Sequence, residues 1–107
     1  MKRHTIPFLA LSALALMAAA PDGKTIALNG NGNGATSCAA CHGSSFQGNP
    51  AIHAPALAGL SAPFILTRLA HYKSPAGHNA MMKAEASALS SAESEAVASY
   101  LATLPKS

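Results

Sequence analysis

The sequence has 107 residues, of which 50% are hydrophobic but only 5% aromatic, a composition that allows one small domain with a thin apolar core. The formal net charge is +3, but beyond residue 20 five basic residues face four acidic ones, which leaves +1. No cluster of Lys and Arg accompanies that charge, so the composition argues against binding of nucleic acid. A domain this small usually needs a disulfide, a metal or a cofactor to stabilise it.

Residues 1–20 have the layout of a secretory signal peptide, with a basic start, an apolar run from Ile6 to Met17 and small residues at the end. The run is too short, and its end too rich in Ala, for a typical membrane span. We expect cleavage near Ala20, which leaves residues 21–107 as the mature domain. An uncleaved N-terminal anchor is the alternative, and only in that case do we expect contact with a membrane.

The first half of the mature chain predicts two short helical segments and a long loop. The segment PDGKTIALNG predicts a helix with Pro21 or Asp22 near its start, which Gly30 can end. A loop rich in Gly and Asn follows, and CAACH is compatible with a helical turn closed by Gly43. Residues 44–60 predict an irregular loop whose length is typical of a segment wrapped around a ligand.

The second half predicts two longer helices. Ser61 is a good N-cap, and with Pro63 in the first turn it predicts a helix that ends near Lys73. The apolar positions at helical spacing, which we expect to form one buried face, are Phe64, Ile65, Leu69 and Tyr72.

Residues 74–83, SPAGHNAMMK, break the helical pattern and predict a loop. Ser90 and Glu93 fit a capping box at the start of a last helix that Pro105 stops. No alternation with a period of two residues stands out, so the predicted fold class is all-α.

Cys38 and Cys41 are the only cysteines, and His42 follows them directly. A redox C-x-x-C normally lies between a strand and a helix, and the sequence predicts no strand for it. A zinc site needs four ligands, and the other histidines of the mature chain lie at no standard spacing from this turn. A disulfide would close a loop of only two residues and would restrict the unfolded chain very little. The remaining interpretation of C-x-x-C-H is covalent attachment of haem.

The spacing suits that chemistry. Two thiols three positions apart on one helical turn can each add to one vinyl group on the same edge of a haem, and His42 can bind the iron. Among later residues only Met81 and Met82, both in the predicted loop, offer a thioether for the sixth iron position. An open sixth position is the alternative, and it would indicate a haem enzyme or a gas sensor.

Three segments, in this order, resemble class I c-type cytochromes: CAACHG, PALAGLSAPFILTRLAHYKS and NAMMKAEASALSSAESEAVASYLATL. The likeness spans roughly residues 22–104, almost the whole mature chain. It implies a cytochrome c fold of three to five short helices wrapped around one covalently attached haem c. It also implies a one-electron carrier of the bacterial periplasm and not an enzyme.

The same resemblance implies particular roles for site residues and partners. The ligand Met of the family commonly lies seven residues before the Leu of an L-S-x-x-E/D helix start, which is Leu89 here and selects Met82, with Met81 as the alternative. Pro55 is implied as the residue whose carbonyl accepts the Nδ1–H of His42. The implied partners are redox proteins, namely a dehydrogenase, a respiratory complex or a terminal oxidase. The chain would serve them either as a free shuttle or as a cytochrome subunit.

Overall fold

The computed structural model describes residues 20–106, and in this range five α-helices and one 3₁₀ turn follow one another without a β-strand. The predicted signal peptide, apart from Ala20, lies outside the described residues. The elements are α1 (Gly23–Asn29), α2 (Ala39–His42), the 3₁₀ turn (Pro50–Ile52), α3 (Ala62–Lys73), α4 (Ala80–Ser87) and α5 (Ser91–Ala102). The all-α prediction is confirmed. Within residues 20–106 no helix has the length and apolarity needed to cross a membrane.

The helices begin where short polar side chains cap their free N–H groups. The carboxylate of Asp22 accepts hydrogen bonds from the N–H groups of the first turn of α1, and Gly30 ends that helix with φ +84°. The hydroxyl of Ser61 accepts from the N–H of Phe64 at the start of α3. At α5 the predicted capping box is present, with Ser90 and Glu93 each accepting the other's backbone N–H. These caps confirm the predicted starts of α1, α3 and α5.

The first and last helices of residues 20–106, α1 and α5, pack directly against each other. Their contact uses small residues: a Cβ on Gly23 would overlap the backbone of Ala96, and both Ala27 and Ala98 are fully buried. Val97 and Leu101 of α5 extend this contact into the hydrophobic core. Small side chains let two helix backbones approach closely, so the composition rich in Ala forms a core through close approach.

Helix α3 packs against α4 and α5 with a narrower apolar face than the sequence predicted. Ile65 is buried, whereas the neighbouring Phe64 is 52% exposed. Successive helical residues point about 100° apart, so Phe64 and Ile65 cannot both face α5. The prediction that Phe64 lies on the buried face is therefore wrong.

Helix α4 is the main departure from the sequence prediction. Met81 and Met82 lie in its first turn and not in a loop, because the side chain of Asn79 caps the helix by accepting the N–H of Met82 at 3.0 Å. Seven of its eight residues are Ala, Met, Lys or Glu, which have high intrinsic helix propensity. Ala86 packs fully buried at the other end of the helix. The prediction failed because α4 lacks the apolar periodicity on which it relied.

Candidate functional site

The thiols of Cys38 and Cys41 are free and half-buried at either end of one helical turn. The turn is closed by the N–H of Cys41 and the N–H of His42, which both donate to the carbonyl of Cys38, at 3.3 and 2.9 Å. Burial raises the pKa of the Cys38 thiol, and the negative charge of Glu85 raises it further. Both effects favour the neutral thiol form of Cys38.

His42 ends the same turn, and its imidazole is buried with one nitrogen engaged. Its Nδ1 lies 2.7 Å from the carbonyl oxygen of Pro55, and the side chain is 7% exposed. A carbonyl can only accept, so this contact assigns the proton to Nδ1 and leaves a lone pair on Nε2. Within residues 20–106 no hydrogen bond reaches Nε2. The ring is thus held in the tautomer that binds a metal through Nε2, and this is the contact that the resemblance implied for Pro55.

The loop that carries Pro55 is tied back to the turn by backbone hydrogen bonds. The N–H of Gly48 donates to the carbonyl of His42 at 2.7 Å, and the carbonyl of Phe46 accepts from Leu57 at 2.9 Å and from Ala58 at 3.1 Å. Phe46 is 1% exposed and adopts φ +56°. Its buried ring meets Tyr100 edge to face at 6.2 Å and, together with the buried Ala58, anchors the loop to the hydrophobic core.

At Gly48 the loop approaches itself closely. It has φ +91°, and a Cβ there would lie 2.8 Å from the nitrogen of Ala56 and 3.0 Å from the carbonyl oxygen of Ala54. Only glycine fits both the left-handed backbone and this close approach. Sequence reasoning did not predict that Phe46 is buried or that Gly48 allows this close approach. The available signals were the one aromatic residue of the loop and a glycine within it.

Helix α4 carries the two methionines. The side chain of Met82 is half-buried, whereas that of the neighbouring Met81 is 70% exposed. The ammonium of Lys83 donates to the carbonyls of Lys73, at 3.3 Å, and of Ser74, at 3.0 Å. These bonds join the first turn of α4 to the end of α3. His53, His71 and His78 are all exposed.

The donor set fits haem c better than it fits zinc. Among the described residues no group of three or more His, Cys, Asp and Glu side chains could hold a metal ion. Cys38, Cys41 and His42 instead provide two free thiols on one turn and one imidazole with Nε2 available. Covalent haem attachment needs two thiols and one such nitrogen from the same short segment.

Comparisons with known proteins agree with this geometry. The family model described as cytochrome c matches residues 20–105. A thiosulfate dehydrogenase electron acceptor of Stutzerimonas stutzeri is 39% identical over 93 residues, which are 86% of this chain and 43% of that protein. A protein of the same name from Thiomonas intermedia is 41% identical over 73 residues, covering 68% of this chain and 34% of the relative. The chain therefore spans less than half the length of either relative.

A solved structure shares the fold as well. The cytochrome c4 of Acidithiobacillus ferrooxidans superposes with a TM-score of 0.71 at 32% identity, over 77% of this chain and 48% of that one.

Proposed function

This chain belongs to the cytochrome c family, and on that premise we propose that it carries one electron at a time through a single haem c bound at the Cys38–His42 turn. A cytochrome c domain is an electron-transfer module and not itself a catalyst. Haem c, when bound, supplies an iron that is oxidised and reduced by one electron. The observation that carries the proposal is the pairing of two free thiols with a buried imidazole whose Nδ1 is occupied.

Each residue of the turn has its own part in binding. The thiols of Cys38 and Cys41 would hold the haem covalently, each through one thioether bond to a vinyl group. His42 offers Nε2 as the ligand of the iron. The carbonyl of Pro55 fixes the direction of the ring and raises its basicity by accepting the Nδ1–H.

We assign the sixth ligand to Met82. Met82 lies seven residues before Leu89, where the resemblance places the ligand, and its side chain is half-buried whereas that of Met81 is 70% exposed. The Asn79 cap fixes the backbone of Met82 directly, through a 3.0 Å hydrogen bond to its N–H. A thioether ligand favours reduced iron and raises the reduction potential, as suits a carrier that accepts electrons readily.

We propose a redox partner of the dehydrogenase kind, in the bacterial periplasm. Two relatives are named as electron acceptors of thiosulfate dehydrogenase, which supports a dehydrogenase as the donor. The layout of residues 1–20 supports export. A respiratory complex or terminal oxidase is the corresponding class of acceptor, and the chain serves either as a free shuttle or as a subunit.

The test uses the full-length chain, exported by a bacterium that attaches haem. We expect purified protein that is red and keeps its haem through denaturing electrophoresis, and a ferric spectrum with the weak thioether–iron charge-transfer band. Met82→Ala should abolish that band and give high-spin ferric haem, whereas Met81→Ala should retain it.

Three outcomes would overturn parts of the proposal. A high-spin spectrum in the unaltered protein, insensitive to both Met variants, would indicate an open sixth position and a haem enzyme or gas sensor. Loss of the band only in Met81→Ala would move the ligand by one residue. Colourless exported protein with a Cys38–Cys41 disulfide would indicate an interaction module without haem.

A further inference from the structure

The segment just before Cys38 is bound to helix α4 by a two-pronged contact. One carboxylate oxygen of Glu85 accepts the backbone N–H of Thr36 at 2.8 Å, and the other accepts the Thr36 hydroxyl at 2.9 Å. Thr36 precedes Cys38 by two residues, and Glu85 follows Met82 by three. Residues three apart on a helix share a face, so Met82 and Glu85 lie on neighbouring positions of α4.

A second contact holds the far end of the same helix. The side-chain amide of Asn31 donates to the carbonyl of Ala88, directly after α4, at 2.8 Å. The oxygen of the same amide accepts from the N–H groups of Asn33 and Ala35, at 2.8 and 3.1 Å, and so fixes the Gly/Asn-rich loop itself. The loop that leads into the attachment turn is therefore hydrogen-bonded to Glu85 of α4 and to Ala88 directly after it. The contact with Glu85 is the nearer of the two to Met82 in sequence.

We propose that Glu85 is a positioning residue for the sixth ligand: through Thr36 it fixes α4 against the attachment turn and sets how readily Met82 leaves the iron. The inference rests on the proposed function, in which Met82 binds the iron. Haem attached to Cys38 moves with the turn, whereas Met82 moves with α4. The contact between Thr36 and Glu85 links these two segments directly, so we expect that loosening it weakens ligation by Met82.

The experiment measures competition for the sixth position in the ferric, haem-loaded protein. Imidazole is titrated in, and loss of the thioether–iron band reports displacement of Met82. Removing the carboxylate charge in Glu85→Gln should raise the apparent affinity for imidazole about tenfold, equivalent to about 1.4 kcal/mol. Thr36→Val, which removes one donor, should raise it by a similar or smaller factor.

Three further variants separate positioning from other effects. Thr36→Ser keeps both donors and should titrate as the unaltered protein does. Glu95→Gln removes the same charge from an exposed position on α5 that makes no hydrogen bond within the described residues, and it should leave the affinity unchanged. The double variant Thr36→Val with Glu85→Gln should exceed the larger single effect by less than twofold, because both substitutions break one contact.

The proposal fails if Glu85→Gln and Glu95→Gln raise the affinity equally, since charge alone would then be responsible. It also fails if Glu85→Gln and Thr36→Val both lower the unfolding midpoint while imidazole binding stays unchanged, which would indicate a structural contact only. A proposed function without Met82 as ligand has a different signature, because either the unaltered protein would lack the band or Met82→Ala would keep it. If Met82→Ala abolishes the band, and Glu85→Gln and Thr36→Val bind imidazole as the unaltered protein does, the positioning role alone is overturned.

Discussion

The turn that carries His42 is held by backbone hydrogen bonds, whereas the helix that carries Met82 is held largely by side chains. On the His42 side, the carbonyls of His42 and Phe46 accept backbone N–H groups from the loop, and Pro55 contributes only its carbonyl. On the Met82 side, the contacts run through the side chains of Asn79, Lys83 and Glu85.

This difference predicts how substitutions near each of the two ligands affect stability. Backbone hydrogen bonds form together when the loop folds, so they are lost together when its anchor is removed. Side-chain contacts can be removed one at a time, each at a cost of roughly 0.5–1.5 kcal/mol. We therefore expect substitutions on the His42 side to act on global stability, and those on the Met82 side to act on ligation or on single steps of stability.

The largest effect is expected at the anchor of the His42 side. Phe46→Ala removes a ring that is 1% exposed and should lower the free energy of unfolding by about 3–5 kcal/mol. Phe64→Ala is the matched substitution at a ring that is 52% exposed, and it should cost less than about 1 kcal/mol. Chemical denaturation followed by far-UV circular dichroism measures both. Equal losses would contradict the role of Phe46 as the anchor.

A smaller loss on the same side is expected at Gly48. An Ala there meets both the φ of +91° and the contact with Ala56, and should cost roughly 2–3 kcal/mol. Gly32 has φ +74° with nothing within 4 Å of an added Cβ, so Gly32→Ala should cost only about 1 kcal/mol. The difference between the two variants isolates the close approach that holds Pro55 next to His42. If the two variants unfold at the same denaturant concentration, the approach does not constrain the loop.

The two sides also differ in how well the sequence predicted them. The His42 side follows from a contiguous motif, and Ser61 and Ser90 cap helices through neighbours three residues away, which local patterns reveal. Helix α4 has no apolar stripe, and its stability depends on the Asn79 cap and on burial of Ala86, so a pattern search assigns a loop.

The contacts between distant segments could not be predicted at all. Thr36 and Glu85 are 49 positions apart, and a lone Thr and a lone Glu carry no signal that they meet. Phe46 is similar, because a single aromatic residue in a loop does not indicate which part of the core it packs against. A left-handed φ at a residue other than Gly, as Phe46 has, is set by the tertiary packing.

On the Met82 side, the capping box that follows α4 should show a single-step loss. Ser90→Ala removes the hydroxyl that accepts the N–H of Glu93 at 3.1 Å, and should cost about 1 kcal/mol. Ser91→Ala, one position later and exposed, is the matched control and should change stability by less than about 0.5 kcal/mol. Thermal unfolding of both variants at neutral pH gives the comparison. A loss at Ser91 as large as that at Ser90 would show that the cap does not set the start of α5.

The smallest effect is expected from the charge of Glu93, which joins the cap of α5 to the loop before the attachment turn. Hydrogen bonds from the N–H of Ser90 and from the amide of Asn31 lower the pKa of this carboxyl below its ordinary 4.5. A carboxyl with a lowered pKa stabilises the fold above its unfolded-state pKa, and the stabilisation disappears as the pH falls through the folded-state value. Glu93→Gln should therefore be less stable than the unaltered protein at neutral pH, and the gap should close below about pH 4.5.

Glu95→Gln removes the same charge from the same helix without breaking a hydrogen bond to the loop, so it corrects for the change in net charge. Unfolding curves measured between pH 3 and pH 7 for the two variants should separate at neutral pH and converge in acid. Curves that superpose throughout would mean that the Asn31–Glu93 contact does not stabilise the protein. In that case only two contacts would stabilise the loop against the Met82 side: Thr36 with Glu85, and Asn31 with the backbone of Ala88. Fewer side chains would then distinguish the Met82 side from the His42 side.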